Sequence, residues 1–317
     1  MNPQANVQGT VTGDFGRDFL VELADRTQLT CTRKGKKQDV TCGDIVEVSL
    51  ADPSGDGGNS KQGRIENVAP RRNVLFRTDA WREKTLAANI DQALVIVAPK
   101  PTFSDTFLYL CLLACEAAQI KPIIMLNKKD LPEYDEAYAR IAHLETIGYT
   151  ILPMSAKLDV EPLRPYLSGK TTLLVGQSGM GKSRTVNNLV MRDVAREAEH
   201  SVALDSGKHT TTYTRTYRLD ATTTIMDSPG LQSFGLFHLS DDDIAFAMPE
   251  FRPFIGHCKY GNCIHVAEPK CAITAALGIA TNAAQDGKIH PARLSFYQAL
   301  IEQQHELRLA HPDWKTS

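Results

Sequence analysis

Eight consecutive residues, Gly176, Gln177, Ser178, Gly179, Met180, Gly181, Lys182 and Ser183, carry the first chemistry of the chain. A glycine, four residues and then Gly-Lys-Ser is the pattern of a phosphate-binding loop, here placed between the apolar run TTLLV and the helical run SRTVNNLVM that continues through Arg184. Glycines let backbone N–H groups turn inward onto phosphate oxygens, and the following helix adds the positive end of its dipole. Lys182 would reach the β- and γ-phosphates and meet the charge that develops during transfer. Ser183 would set its hydroxyl on a magnesium ion bridging the same phosphates. A Gly-rich surface turn is the plain alternative, and the strand before and helix after argue against it.

A second group chooses the base. Asn127, Lys128, Lys129 and Asp130 follow the strand-like PIIML. A carboxylate at Asp130 accepts from both the N1–H and the exocyclic amine of guanine, a donor pair that adenine lacks. Asn127 would steady this loop beside Lys128, and Ser155, Ala156 and Lys157, after TILPM, would offer a backbone donor to guanine O6. Alone, NKKD reads equally well as a charge cluster at a helix start.

A third group senses the γ-phosphate. Asp227, Ser228, Pro229 and Gly230 end the run TTTIM; Asp227 would hold magnesium through water and the Gly230 N–H would meet the γ-phosphate. One threonine of Thr210, Thr211 and Thr212, with Thr211 carried as the candidate, would contact magnesium. Leu231 stands where Ras-like enzymes place the glutamine that orients attacking water, and a leucine cannot do that. His209 is the nearest candidate catalytic residue, with a purely structural histidine as the alternative. Slow hydrolysis until a partner orders the loop is the expected consequence.

The order of these motifs is NKKD, SAK, GQSGMGKS, GKHTTT, DSPG, whereas the usual arrangement begins with the phosphate loop and ends with the guanine motif. The same strand ends can build the same site if the chain is cut and rejoined elsewhere, so a circular permutation is expected. A fourth group is separate: Cys258, Cys263, His265 and Cys271 offer three thiolates and an imidazole, a closed tetrahedral set for one structural zinc. His257 is an alternative ligand, and buried free thiols are the alternative reading.

These groups need elements to position them. Residues 81–240 alternate compact apolar runs (ALVIVAP, PIIMLN, TILPMSA, TTLLVG, TTTIMDSPG) with helical segments, the signature of a parallel sheet flanked by helices. Residues 1–80 read instead as five short strands (VQGTVTG, DFLVEL, QLTCT, DIVEVSL, GRIENVAP) separated by Gly-rich turns, which fits an OB-like β-barrel of the kind that binds oligonucleotides. Another small barrel serving as a scaffold is the alternative. Residues 241–317 read as a helical zinc-binding domain, with Leu294, Tyr297, Leu300 and Ile301 as a packing face. The fold class is therefore multi-domain α/β.

Bulk properties bound the rest. At 317 residues the chain has room for two or three domains, and 42% hydrophobic with 23% charged residues is ordinary for a soluble protein. A net charge of −2 excludes a uniformly basic nucleic-acid coat, so RNA contact must be regional, as around Arg33, Lys34, Lys36 and Lys37. No apolar run approaches the ~20 residues that span a bilayer, and MNPQANVQGT lacks the features of a secretory signal. A cytoplasmic protein without membrane contact, monomeric for want of any coiled-coil pattern, is expected. Cys31, Cys42, Cys111 and Cys115 lie scattered in apolar surroundings.

Together these residues resemble the ribosome small subunit-dependent GTPase A family. The likeness runs through the β-rich N-terminus, AANIDQALVIVA, NKKDL, GQSGMGKS, GKHTTT, DSPG, CKYGNCIHVAEPKCA and RLSFYQAL, and departs where the family commonly has Arg at Lys208 and Thr at Ser228. The resemblance implies an OB-fold, a permuted GTPase domain and a C-terminal zinc domain. It implies a late factor in maturation of the 30S subunit that contacts 16S rRNA, whose conversion of GTP to GDP is stimulated by the subunit and promotes release. By the same comparison His209 is similar to the family's proposed catalytic histidine, and Cys258, Cys263, His265 and Cys271 to its zinc ligands. Leu231 favours another reading, a nucleotide-regulated RNA-binding module with little turnover; an adenine-nucleotide enzyme is disfavoured by Asp130.

Overall fold

A computed structural model describes residues 6–35, 39–50, 62–79, 82–198, 214–228, 234–278 and 288–310. Strands β1 (Val7–Asp14), β2 (Asp18–Leu23), β3 (Gln28–Arg33), β4 (Ile45–Leu50) and β5 (Gln62–Val68) follow the five predicted runs. Their alternation sends Val11, Phe19, Val21, Leu29, Cys31, Val46, Val48 and Ile65 into one buried core. The strands close in the order β1-β2-β3-β5-β4-β1, antiparallel except between β3 and β5. Closure satisfies the edges that an open five-stranded sheet would expose, and it makes the predicted OB-type barrel.

A hairpin of β6 (Val74–Asp79) and β7 (Arg82–Ala88) comes next. Its Leu75 and Leu86 are buried with the core of the following unit and not with the barrel. That unit runs β8 (Gln92–Val97), α1 (Asp105–Ala117), β9 (Lys121–Leu126), α2 (Tyr134–Ile141), β10 (Thr150–Pro153), α3 (Arg164–Leu167), β11 (Thr171–Val175), α4 (Lys182–Ala198), β12 (Arg215–Arg218) and β13 (Thr224–Asp227). The strands lie in the order β10-β9-β8-β11-β13-β12, parallel throughout except for β12. Every residue of β8 is buried, as expected for a strand covered on both faces. The outer edge of β12 continues onto β1, with Gly13 opposite Arg215, so sheet and barrel share one hydrogen-bonded surface.

The C-terminal part holds α5 (Asp241–Phe246), a 3₁₀ turn (Pro249–Phe254), α6 (Ala272–Ala275) and α7 (Pro291–Ala310). Ser240 and Asp243 exchange hydrogen bonds in a capping box, and Asp241, Asp242 and Asp243 load the first turn of α5 with the charge its dipole favours. On α7, Leu294, Tyr297 and Ile301 are buried and Leu300 packs at their margin, the packing face that helical spacing predicts. No helix among the described residues is long and apolar enough to cross a membrane.

The junction between α7 and the sheet unit joins apolar packing, with Phe296 edge-on to Tyr109 at 5.5 Å, to a set of buried polar groups. Arg293 is fully buried; its Nε donates to Glu250 Oε1 at 2.6 Å, and its guanidinium stands 4.9 Å from the centre of the Tyr109 ring on α1. Beside it the rings of His143 and His290 stack at 3.9 Å, and burial, helped by His290 and Arg293, pushes His143 down to about 4. The stack is therefore uncharged at neutral pH. Arg293→Met strands the Glu250 carboxylate without its counter-charge and is expected to destabilise the chain by about 3–5 kcal/mol, most of it recovered when Glu250→Leu is added, as measured by denaturant unfolding.

Candidate functional site

Parallel strands aim their carboxyl ends at one rim, where open α/β sheets bind ligands. Here the adjacent ends of β10, β9, β8, β11 and β13 bring together loops far apart in sequence. β11 stops at Val175 and the chain turns through residues 176–181 into α4. Gly179 and Gly181 adopt φ of +80° and +98°, a region open to glycine and strained for other residues. Space forbids a side chain as well: a Cβ on Gly181 would stand 2.2 Å from Asn127 Nδ2, and one on Gly176 2.6 Å from the Ile96 carbonyl oxygen.

Asn127, at the end of β9, joins three loops. It is 3% exposed; its Nδ2 donates to the Met180 carbonyl at 2.8 Å, and its Oδ1 accepts from the Ala156 N–H at 2.9 Å. Lys128 holds the same loop from above, its ammonium donating to the carbonyls of Gly179, at 2.7 Å, and Lys100. The Ser155 hydroxyl donates to the Asp130 carboxylate, and Lys157 Nζ lies 4.0 Å from it. The Ser155 bond, aided by a backbone N–H and the nearby lysines, holds the Asp130 carboxyl below its ordinary value. Asp130 is thus an ionised double acceptor at neutral pH, the chemistry that the guanine edge requires.

Across the rim, Lys182 Nζ lies 3.2 Å from Asp227 Oδ1 and donates to the Ser228 carbonyl. Asp227 is 7% exposed, yet its Oδ1 has no hydrogen-bond partner. A buried carboxylate oxygen whose neighbour is the Lys182 ammonium, near the start of α4 where Ser183 presents an exposed hydroxyl group, suits a hard cation that takes oxygen ligands such as magnesium once that lysine turns to phosphate. Ser178 and Arg184 are exposed at the loop and the helix start. Gln177 turns its side chain elsewhere, accepting from the Ser104 N–H at 2.9 Å at the start of α1. Lys208, His209, Thr210, Thr211, Thr212, Gly230 and Leu231 lie outside the described residues.

Sequence reasoning missed two parts of this rim. The loop after β8 lays Lys100 and Pro101 over the phosphate loop, a Cβ on Gly179 coming 2.9 Å from Pro101. Asn188 on α4 donates to the Ala156 carbonyl at 2.7 Å and so braces the base-side turn from behind. Only the position of APKPTFS after a buried parallel strand signals the first; nothing local signals the second.

The cysteine cluster lies in the C-terminal part. The ligand atoms of Cys258, Cys263, His265 and Cys271 all lie within 4.8 Å of one another, and exposed His257 is not among them. His265 Nδ1 sits 3.5, 3.4 and 3.4 Å from the sulfurs of Cys258, Cys263 and Cys271, and two of those sulfurs are 3.8 Å apart. A tetrahedron with zinc–sulfur bonds near 2.3 Å and a zinc–nitrogen bond near 2.1 Å has edges of about 3.8 and 3.6 Å, so the donors fit that ion. Outer contacts fix the loop: Glu268 accepts from the N–H groups of Ile264, Val266 and Ala267, Ala272 N–H points at Cys258 sulfur, and Tyr297 and Gln298 of α7 donate to the carbonyls of Ile264 and Val266.

Fold and rim together define a P-loop GTPase with a circularly permuted sheet, an OB-type barrel ahead of it and a Cys/His cluster behind. Comparison with known proteins bears this out: the RsgA GTPase family model matches residues 68–237. The small ribosomal subunit biogenesis GTPase RsgA of Nitrosospira multiformis is 43% identical over 93% of this chain and 90% of that one, and its namesake from Nitrosomonas europaea is 42% identical over 98% and 95%. Among solved structures, YjeQ from Thermotoga maritima matches with a TM-score of 0.66 and 26% identity over 96% of this chain and 99% of that one. YloQ, described as a circularly permuted GTPase, shares the fold at a TM-score of 0.64 and 22% identity over 100% and 98% of the two chains. The chain belongs to the RsgA GTPase family and is a GTP hydrolase.

Purified protein is expected to carry one zinc per chain by elemental analysis, and Cys271→Ser to lose it. Because structural metal binding is folding free energy, that variant should melt roughly 10 °C lower or more.

Proposed function

We propose that this GTPase binds the small ribosomal subunit late in its assembly, contacts 16S rRNA partly through the barrel, and uses GTP hydrolysis to end its stay. The observation that carries the nucleotide reading is the Asn127 side chain, which locks the phosphate loop and the base-side turn at one spacing. The partner reading is supported by the names of the Nitrosospira and Nitrosomonas relatives, which are small ribosomal subunit biogenesis GTPases, and by the OB-type barrel. We also propose that it works in the cytoplasm as a monomer, the latter for want of any coiled-coil pattern in the sequence.

In this reading the backbone N–H groups of residues 176–181 hold the phosphates and Lys182 neutralises charge on the β- and γ-oxygens. Its present partner Asp227 becomes available when that ammonium moves onto phosphate. Ser183, Asp227 and one threonine of Thr210, Thr211 and Thr212 would hold magnesium, which would supply further positive charge at the phosphates. Asp130 accepts from guanine N1–H and the exocyclic amine; with the Ala156 N–H committed to Asn127, the donor for guanine O6 falls to a neighbouring amide of that turn. Gly230 senses the γ-phosphate and His209 positions the attacking water. Cys258, Cys263, His265 and Cys271 would hold a structural zinc that ties the loop of residues 258–271 together.

Asp130→Asn replaces one acceptor by a donor that suits xanthine, so preference for GTP over XTP should fall at least about tenfold in competition binding. Unchanged preference would remove Asp130 from the base site. Steady-state GTP hydrolysis should rise strongly on adding 30S subunits and not 50S subunits. Because Leu231 occupies the usual glutamine position, a nucleotide-regulated RNA-binding module is the competing reading, and tight 30S binding without stimulated turnover would favour it.

A further inference from the structure

The turn at residues 41–44, between β3 and β4, is where barrel, hairpin and sheet meet. Its Gly43 N–H donates to the Val11 carbonyl of β1 at 2.8 Å, and its Asp44 carbonyl accepts from Val11 N–H at 2.9 Å. On the hairpin side, Ala88 N–H donates to the Cys42 carbonyl and Asn89 Nδ2 to the Gly43 carbonyl, both at 2.9 Å. On the sheet side, the Cys42 thiol donates to the Thr214 carbonyl at 3.2 Å. Burial pushes that thiol far above its ordinary value, so it remains an S–H donor. Gly43 has φ +91°, and a Cβ there would stand 2.0 Å from the Ala88 carbonyl oxygen and 3.0 Å from Met226 on β13. Buried Asp44 accepts from Thr41 N–H and from two nitrogens of Arg71, which keeps the turn rigid.

Both attachments to the sheet fall beside the segments that the sequence assigns to the γ-phosphate. Thr214 is two residues beyond Thr212, and Met226 immediately precedes Asp227. The seam at Thr214 is reinforced by the pairing of Gly13 with Arg215 and by an ion pair between Arg218 of β12 and Glu22 of β2. Past Asp227 the hairpin makes a further tie: Gly235 N–H donates to the Phe76 carbonyl at 3.0 Å, and Phe234 pairs with Arg77 of β6.

From these contacts we propose that the turn at residues 41–44, together with the adjoining seam closed by Glu22 and Arg218, is a positioning element for GTP hydrolysis. It holds the chain at Thr214 and the strand ending in Asp227 in one register with the barrel, so RNA seated on the barrel biases the nucleotide rim and bound nucleotide biases the barrel in return. The inference rests on the GTPase reading above. Coupling between two sites is reciprocal, so it is readable from the nucleotide side alone. No wire through distant residues is needed, since the turn touches the chain at Thr214 and Met226 directly and the seam beside it is closed by the Gly13–Arg215 pairing and the Glu22–Arg218 ion pair.

The test is backbone hydrogen exchange on the full chain with GDP or a slowly hydrolysed GTP analogue, each with magnesium. Exchange at Gly43 and Ala88 should differ between the two nucleotides by at least about threefold, while Leu29 and Thr30 on the far strand of the barrel should not change. Arg218→Glu sets like charges across the seam and should erase the difference while analogue affinity stays within roughly twofold. The charge-swapped pair, Glu22→Arg with Arg218→Glu, should restore it, which a merely damaged fold would not do. Equal exchange in the two nucleotide states, an undiminished difference in Arg218→Glu, or no restoration by the swap overturns the inference. Failure of the analogue to bind, read as no shift in melting temperature, overturns the GTPase reading itself.

Discussion

One side-chain amide sets the spacing on which the nucleotide rim depends. Asn127 leaves β9 with its donor on Met180 and its acceptor on Ala156, and Gly181 can approach it only because glycine carries no Cβ. Replacing that amide with an apolar group would leave a buried carbonyl and a buried N–H unsatisfied, each costing about 1–3 kcal/mol. The lysine beside it and Asn188 behind it make the same junction redundant in direction, so the phosphate side and the base side move as one body.

Around that junction, connectivity is free to vary. β11, which feeds the phosphate loop, sits between β8 and β13, and the guanine-side strands precede it in the chain. A ligand at the strand ends meets the same groups whichever way the strands are joined. What permutation changes is which neighbours are joined covalently: β12 is hydrogen-bonded to the barrel through β1, and the segment beyond Asp227 passes along the hairpin into the C-terminal part.

The cysteines show how surroundings decide the use of one side chain. Cys31, Cys42, Cys111 and Cys115 are buried, and desolvation pushes their thiols upward, so they stay protonated and pack as small apolar groups. Cys258, Cys263 and Cys271 converge instead on His265 Nδ1, where a cation would favour their thiolate forms. α7 serves that loop through Tyr297 and Gln298, while Arg293, one turn earlier, docks the same helix on α1 and Glu250.

The sequence by itself determined whatever depends on near neighbours. Strand alternation gave the five-stranded barrel, buried runs gave the parallel sheet, and GQSGMGKS, NKKD and DSPG marked strand ends, because backbone geometry and local periodicity are properties of short segments. It did not show that Gln177 turns to Ser104, 73 residues away, that Asn127 reaches Met180 across 53, or that Asn188 braces Ala156 across 32. Nor did it show the hairpin of β6 and β7, whose strands resemble ordinary polar sequence until Leu75 and Leu86 find a core. Those contacts exist only after the strands stack side by side. The tertiary structure decided them, since a hydrogen bond needs its partner within about 3 Å, and no residue spacing encodes that distance.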